Sequence, residues 1–398
     1  MTERQALNLI IRTKRNHKNR GLYDYNNKEL KIIKEIINND NAFIISKSNN
    51  NVINNFSEFN PNDENQILFQ LRKSLKTKNY EIINPVIKCT QLLKHSEYIK
   101  DLNNRFWYVI RSKTPINEEE EENDEDYVLN ENDIIKLGDK KYEVTKIRIN
   151  KADDNYNVNR DNKYNISGIN KKAGSIFKSD IKKNQYKVEP SENEDEQCWI
   201  CLGSTPTSID NPLINICKCK NKFVHYSCLK QYLQTKIKIK ENCKHTVSTY
   251  CCNKFNCDIC LTSYPTRFKI SELKKEYELI DLNLPEGFNY MILESLDYIK
   301  DNDNIKRIHV VQLIDDEIYI GRNGSNDIID EDLTVSRYHA VLKYNHSEGE
   351  VILENRSGTY GTLVLIKGNI KMNDKNLNLQ IGDSFITVNL TSKEKELM

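Results

Sequence analysis

The hydrophobic pattern changes character several times along the chain, and each change marks a candidate boundary. In residues 1–105, Glu29–Ile37 (ELKIIKEII) and Glu64–Leu75 (ENQILFQLRKSL) space their apolar positions as helices do, with Asp63 placed to cap the second. From Phe106 to Ile149 the period shortens to two. FWYVIRS, DYVLNENDIIKLGD and KKYEVTKIRI alternate apolar and polar residues and break at Gly138-Asp139, which predicts strands and a turn. The acidic run Glu118–Asp126 interrupts them and reads as a solvated loop. Residues 150–195 carry no sustained period and are rich in Asn, Lys, Asp and Ser, the composition of a polar linker. A connector over 267–285 has a short helical start at Ser271–Ile280. Beyond it YMILESL, RIHVVQLI, EIYIGR, YHAVLKY, EVILEN and GTLVLI form short strands divided by Gly, Asn and Asp, the layout of a β-sandwich over 286–392.

Composition narrows the class. A chain of 398 residues accommodates two or three domains, and 59 basic against 58 acidic residues leave no global field that would favour nucleic acid or a membrane surface. Apolar residues make up only 38 %, as expected of folded islands joined by polar connectors. No stretch approaches the roughly 18 apolar residues of a membrane span, and the first residues have no apolar signal core. The expectation is a soluble protein of the cytoplasm or nucleus, whose cysteines stay reduced. No P-loop, dinucleotide fingerprint or nucleophile elbow is present.

Ten of the eleven cysteines fall between Cys198 and Cys260. Eight residues there form four pairs of soft ligands: Cys198-x2-Cys201, Cys217-x-Cys219, His225-x2-Cys228 and Cys257-x2-Cys260. That is the number two tetrahedral Zn²⁺ ions require, and a two-residue spacing lets one tight turn present both sulfurs to an ion at about 2.3 Å. Cys243, His245, Cys251 and Cys252 are left over in a 28-residue insert. They read either as packed or free thiols or as part of a third zinc site.

CWICL, NPLINICKC, FVHYSCLKQYL and CDICLTSYP resemble the RING-CH (RINGv) zinc finger of one group of ubiquitin ligases, over residues 196–266. The resemblance implies a cross-brace, with Cys198, Cys201, His225 and Cys228 on one zinc and Cys217, Cys219, Cys257 and Cys260 on the other. It also implies an E2 conjugating enzyme seated on Ile200, Tyr232 and Pro265, with no residue of the finger acting as a nucleophile. Three features depart from the family: a gap of five residues (KNKFV) before the histidine, Tyr232 where Trp is usual, and Leu261 where a basic residue is often found. A PHD finger shares the ligand order and stays open as a rival. The Cys-x-Cys pair, the helix-compatible LKQYLQTKIKIK, and Phe255 in place of a Trp favour RING-CH.

A second resemblance rests on Gly321-Arg322, Ser336-Arg337-Tyr338-His339, Ser357-Gly358-Thr359-Tyr360-Gly361-Thr362 and Leu379–Asp383. These motifs resemble a forkhead-associated (FHA) domain, a β-sandwich that binds phosphothreonine on loops at one end. It implies that Arg322, Ser336, Arg337 and Thr359 contact the phosphopeptide and that Gly321, His339 and Gly361 shape the loops. A guanidinium fork suits a phosphate dianion. Tyr360 stands where Asn is common. The stretch Tyr127–Ile147 resembles the last strands of such a sandwich, with Asp133 and Gly138 in turn positions, and the segment 106–149 is expected as a degenerate FHA-like domain or a separate small β-domain.

The expected architecture is multidomain α+β: a partly helical N-terminal region, the β-rich segment, the linker, a two-zinc module and an all-β sandwich. The expected function is a RING-type E3 ubiquitin ligase that holds a charged E2 and recruits phosphothreonine-bearing substrates. The alternative is a non-enzymatic phosphopeptide adaptor with a structural zinc finger, or a PHD-like reader.

Overall fold

The computed structural model describes residues 126–150, 196–204, 209–220, 222–270, 275–296, 305–314, 317–357 and 359–367, together with Leu102, 105–110 and the strands at 5–13, 31–37, 43–46, 52–53, 67–73, 80–83, 189–190, 370–371, 377–381 and 384–392. The acidic run at 118–125, most of the linker at 150–195 and the Asp63 cap lie outside the described residues. The chain forms two compact units. One comprises Met1–Lys140, Asp153–Asp180 and Asp315–Met398; the other comprises Lys141–Ala152 and Ile181–Ile314.

Among the described residues the first unit contains no α-helix and is built mainly of strands. One of its sheets runs Ile328–Ile329, Ile318–Gly321, Ala340–Asn345, Glu350–Asn355, Tyr127–Leu129. A second places Thr362–Leu365 between Ile134–Leu137 and Phe106–Ile110, and continues through Leu377–Ile381, Ser384–Ser392, Gln5–Thr13 and Lys31–Ile37. The fully buried runs FWYVI (Phe106–Ile110) and TLVL (Thr362–Leu365) show why these strands read as continuous apolar segments.

This pairing corrects the expected boundaries. The segment 106–149 is not a domain of its own: Tyr127–Leu129 pairs with Val351–Leu353, and Ile110 pairs with Thr362. The strands Tyr290–Ser295 and Ile305–Gln312, expected in the C-terminal sandwich, belong to the second unit instead. The sandwich is therefore built from two stretches of sequence, with the residues of the second unit intervening between strands of one fold. Alternation within a strand cannot reveal this, because it names the buried face and not the partner.

The helical expectations at Glu29–Ile37 and Glu64–Leu75 are also corrected. Lys31–Ile37 is a strand antiparallel to Gln5–Thr13, and Ile67–Lys73 is a strand between Phe43–Ser46 and Tyr80–Ile83. Four isoleucines in seven residues (KIIKEII) favour extended backbone, and pairing with a neighbouring strand overrides the helical spacing.

The second unit carries the α-helix Tyr226–Gln234, the one α-helix among the described residues. Its main sheet runs Ile237–Glu241, Val247–Asn253, Ile305–Gln312, Tyr290–Ser295, then residues 141–148. The expected helical start at Ser271–Ile280 is a hairpin, Arg267–Ile270 with Lys275–Glu278. Phe268 and Tyr277 face each other across it, with rings 13° from parallel and centroids 5.2 Å apart. A common core of Leu213, Ile214, Leu229, Leu233, Tyr250 and Phe255 runs from beneath the cysteine cluster to this sheet.

Candidate functional site: two metal quartets and a phosphate-type loop cluster

The cysteine-rich segment is organised by two nearly identical turns. In CWICL, Leu202 N donates to Cys198 O at 2.8 Å and Cys198 N to Gly203 O at 3.1 Å. In CDICL, Leu261 N donates to Cys257 O at 2.9 Å and Cys257 N to Thr262 O at 2.9 Å. Both leucines take left-handed backbone, with φ of 59° and 55°. That conformation is costly for a branched residue and persists where the surroundings impose it, here a turn that aims two sulfurs inward.

The other two ligand pairs come from the element between these turns. Leu213–Asn215 pairs with Val224–His225, and Asn215 holds the Cys217-Lys218-Cys219 loop by donating from Nδ2 to Cys219 O at 2.9 Å. His225 immediately precedes the helix, and Cys228 lies in its first turn. Asn211 Oδ1 accepts from Ser227 N at 2.8 Å, satisfying one free amide of that helix start.

Two quartets result: Cys198, Cys201, His225 and Cys228, and Cys217, Cys219, Cys257 and Cys260, with ligand atoms within 4.8 Å of one another in each. These are the interleaved sets expected from the sequence. A tetrahedron with metal–sulfur bonds of about 2.3 Å has edges of about 3.8 Å. His225 Nδ1 lies 3.3 Å from Cys201 Sγ and 3.8 Å from Cys228 Sγ, and Cys219 Sγ lies 3.9 Å from Cys257 Sγ. The histidine thus offers Nδ1 as its ligand atom.

The electrostatics agree with the geometry. Burial, reinforced by neighbouring thiols, pushes Cys217 and Cys228 up to about 12. At Cys260 burial is outweighed by hydrogen bonds from Thr262 and from backbone amides, which lower the thiol to about 6. Thiols this close cannot all ionise beside one another without a cation, and a dication in each quartet removes the conflict. The donor set fits zinc, and each quartet is a complete ligand set for one Zn²⁺. Four filled positions make the sites structural, supplying folding energy rather than a reactive metal.

The leftover ligands do not assemble into a third site. Cys243 and His245 sit at the turn of the Ile237–Asn253 hairpin, where His245 pairs with Glu241 at 2.7 Å. Cys251 and Cys252 lie in the following strand opposite Lys238 and Ile237. From His245 to Cys251 the chain spans six residues, most of them extended at about 3.3 Å each, and Cys251 and Cys252 face opposite sides of the sheet.

Around the quartets, Ile200 is half-buried, while Leu202, Ile259 and Leu261 project from the two turns at 72 %, 72 % and 69 % exposure. Ile259 and Leu202 were not singled out from the sequence, although the repeat CWICL/CDICL carried the signal. Tyr232 is half-buried; its ring meets Trp199 edge-on at 5.7 Å, and its hydroxyl donates to Asp258. Pro265 is buried.

In the sandwich the expected loop residues gather at one end. Ser336 N donates to His339 Nδ1 at 2.9 Å, and His339 Nε2 donates to Gly361 O at 2.9 Å. Burial lowers His339 to about 4, so the ring is neutral and clamps two loops together. Ser336 Oγ lies 2.9 Å from Ser357 Oγ, Arg322 N donates to Ser336 O at 2.9 Å, and Arg322 Nε donates to Val335 O at 3.2 Å. Gly321 is required sterically, since a Cβ there would sit 2.4 Å from Arg337 O. Arg322 and Arg337 are exposed, and Thr359 is half-buried beside Gly361, whose φ is +64°. The arrangement presents a guanidinium fork and hydroxyls around one loop cluster, a donor set suited to a phosphate.

One device holds this cluster and was partly legible. Asp332 Oδ1 accepts from Thr334 N and Oγ1 at 2.8 and 2.6 Å, and Thr334 Oγ1 accepts from Asp139 N at 2.8 Å. Gly138, expected as a turn residue, has φ +61°, and a Cβ on it would meet Thr334 O at 2.4 Å.

Comparison with known families agrees with both constellations. A RING-variant domain matches residues 198–260, containing all eight ligands, and an FHA domain matches residues 318–387, containing Arg322, Ser336, His339 and Thr359. No curated protein matches the chain. Among the described residues no helix is long and apolar enough to cross a membrane.

Proposed function

We propose that this protein is a RING-type E3 ubiquitin ligase that holds a ubiquitin-charged E2 on its zinc module and captures phosphothreonine-bearing proteins on its sandwich. The observation that carries the reading is the union, in one chain, of a complete two-metal RING-variant ligand set and an FHA loop cluster with its arginine exposed. Leu202, Ile259 and Leu261 project as exposed apolar residues from the two metal turns, Ile200 is half-buried in the first of them, and Tyr232 packs edge-on against Trp199. Such residues suit an E2 loop, because apolar side chains held on rigid metal turns bury area with little ordering cost. The module would act by orienting the thioester, not by forming a covalent intermediate.

Arg322, Ser336, Arg337 and Thr359 would hold the phosphate, with Gly321, His339 and Gly361 fixing the loops. Joining the two activities in one chain raises the local substrate concentration to roughly the millimolar range for short linkers, so a weak phosphopeptide site suffices. The test is discharge of ubiquitin from a panel of charged E2 enzymes. Stimulation that Ile200→Ala or Ile259→Ala abolishes supports the ligase. No stimulation across the panel, with two zinc ions bound, favours the adaptor, consistent with the apolar Leu261 in a position where ligases often carry a cation.

A further inference from the structure

The five-residue stretch between Cys219 and His225 delivers Lys222 to an unusual place. Its ammonium lies 3.6 Å from Cys257 Sγ, a ligand of the all-cysteine quartet, and 4.2 Å from the centroid of Trp199, which sits in the first metal turn. The backbone that follows it is fixed, since Trp199 N donates to Phe223 O at 3.0 Å and Cys198 bridges to Phe223. The side chain therefore spans from the turn of one quartet to a ligand of the other. A parallel lacing lies nearby: Tyr232, edge-on to Trp199, donates to Asp258 of the second turn, and Lys236 stacks over Tyr232 at 4.1 Å. Lys236 ends on the Asp258 carboxylate at 3.5 Å rather than on a ligand sulfur.

Charge makes the two lysines unequal. Four thiolates around Zn²⁺ leave a net charge of roughly −2, whereas three thiolates and an imidazole leave roughly −1. The all-cysteine site has more to gain from an outer cation that donates to a sulfur, and an aromatic face holds that cation in place. We propose that Lys222 is a positioning residue of the all-cysteine zinc site, which sets metal retention there and, through Trp199, links it to the histidine-containing site. The inference rests on the two-zinc reading but not on ligase activity.

The experiment follows zinc release from the full-length protein to a chromogenic chelator and compares the parent with Lys222→Met, Lys222→Arg and Lys236→Met. Cobalt-substituted protein assigns each phase, because a site of four sulfurs and a site of three sulfurs and one nitrogen differ in their visible bands. In Lys222→Met one of the two ions leaves about tenfold or more faster, and the bands of the four-sulfur site are the ones lost. Lys222→Arg, which keeps the charge and the aromatic contact, stays within about twofold of the parent, and so does Lys236→Met. A Lys222→Met chain that loads only the histidine-containing site also supports the proposal. Equal release from Lys222→Met and parent overturns it. So does equal acceleration of both ions, failure to load either one, or the same effect from Lys236→Met, since each would mean general packing. A parent that binds no metal would instead remove the two-zinc reading itself.

Discussion

Acidification should weaken the sandwich through one buried imidazole. His339 is fully buried, accepts from Ser336 N and donates to Gly361 O, and burial holds it at about 4 against an ordinary value near 6.5. The folded state therefore binds this proton more weakly than the unfolded state. Stability from the neutral ring is full above pH 6.5 and is lost as the pH falls towards 4. A separation of about 2.5 units corresponds to about 3 kcal/mol in total, of which about 2 kcal/mol is lost between pH 7 and pH 5. The assay is urea unfolding read by hydrogen exchange on peptides from 340–355, which follows the sandwich apart from the zinc unit. His309 lies in that other unit and is lowered to about 3, so a whole-chain signal would mix the two. His339→Asn should be less stable at pH 7 and should lose most of the difference between pH 7 and pH 5. An unchanged pH dependence in that variant would refute the neutral-clamp account.

Further outcomes follow from the same geometry. Cys217→Ser removes a ligand from an interleaved set, so zinc content should fall below two and the 196–266 module should lose protection from proteolysis. Arg322→Ala should abolish binding of a phosphothreonine peptide, measured by calorimetry, without changing the thermal unfolding of the sandwich; equal affinity would displace the phosphate site. Gly138→Ala places a Cβ 2.4 Å from Thr334 O at a φ of +61° and should cost about 2–4 kcal/mol while loosening phosphopeptide binding. Parent-like stability there would mean the loop is not seated on this turn.

The metal site was legible because its information is local. Pairs such as Cys257-x2-Cys260 encode their turn within five residues, and the resemblance of the four pairs to a RING-variant finger implies the cross-brace. The loop cluster was legible for a similar reason, since Gly321-Arg322 and Ser336-x2-His339 are short motifs bound by steric and hydrogen-bond demands. Strand partners were not. Ile110 pairs with Thr362, some 250 residues away, and nothing in FWYVI names TLVL as its neighbour. KIIKEII satisfied a helical spacing by coincidence, and only the adjacent Gln5–Thr13 strand decides its state. The burial of Pro265 likewise depends on packing that spacing does not encode.

The central claim is that one chain joins an E2-positioning module to a phosphothreonine reader. The most direct measurement is ubiquitin transfer to a protein carrying one phosphothreonine, in the presence of a responsive E2, by the parent, Ile200→Ala and Arg322→Ala. The account predicts transfer by the parent that Ile200→Ala abolishes, while Arg322→Ala retains E2 discharge but no longer prefers the phosphorylated substrate. Transfer that ignores phosphorylation, or that survives both substitutions, would contradict it.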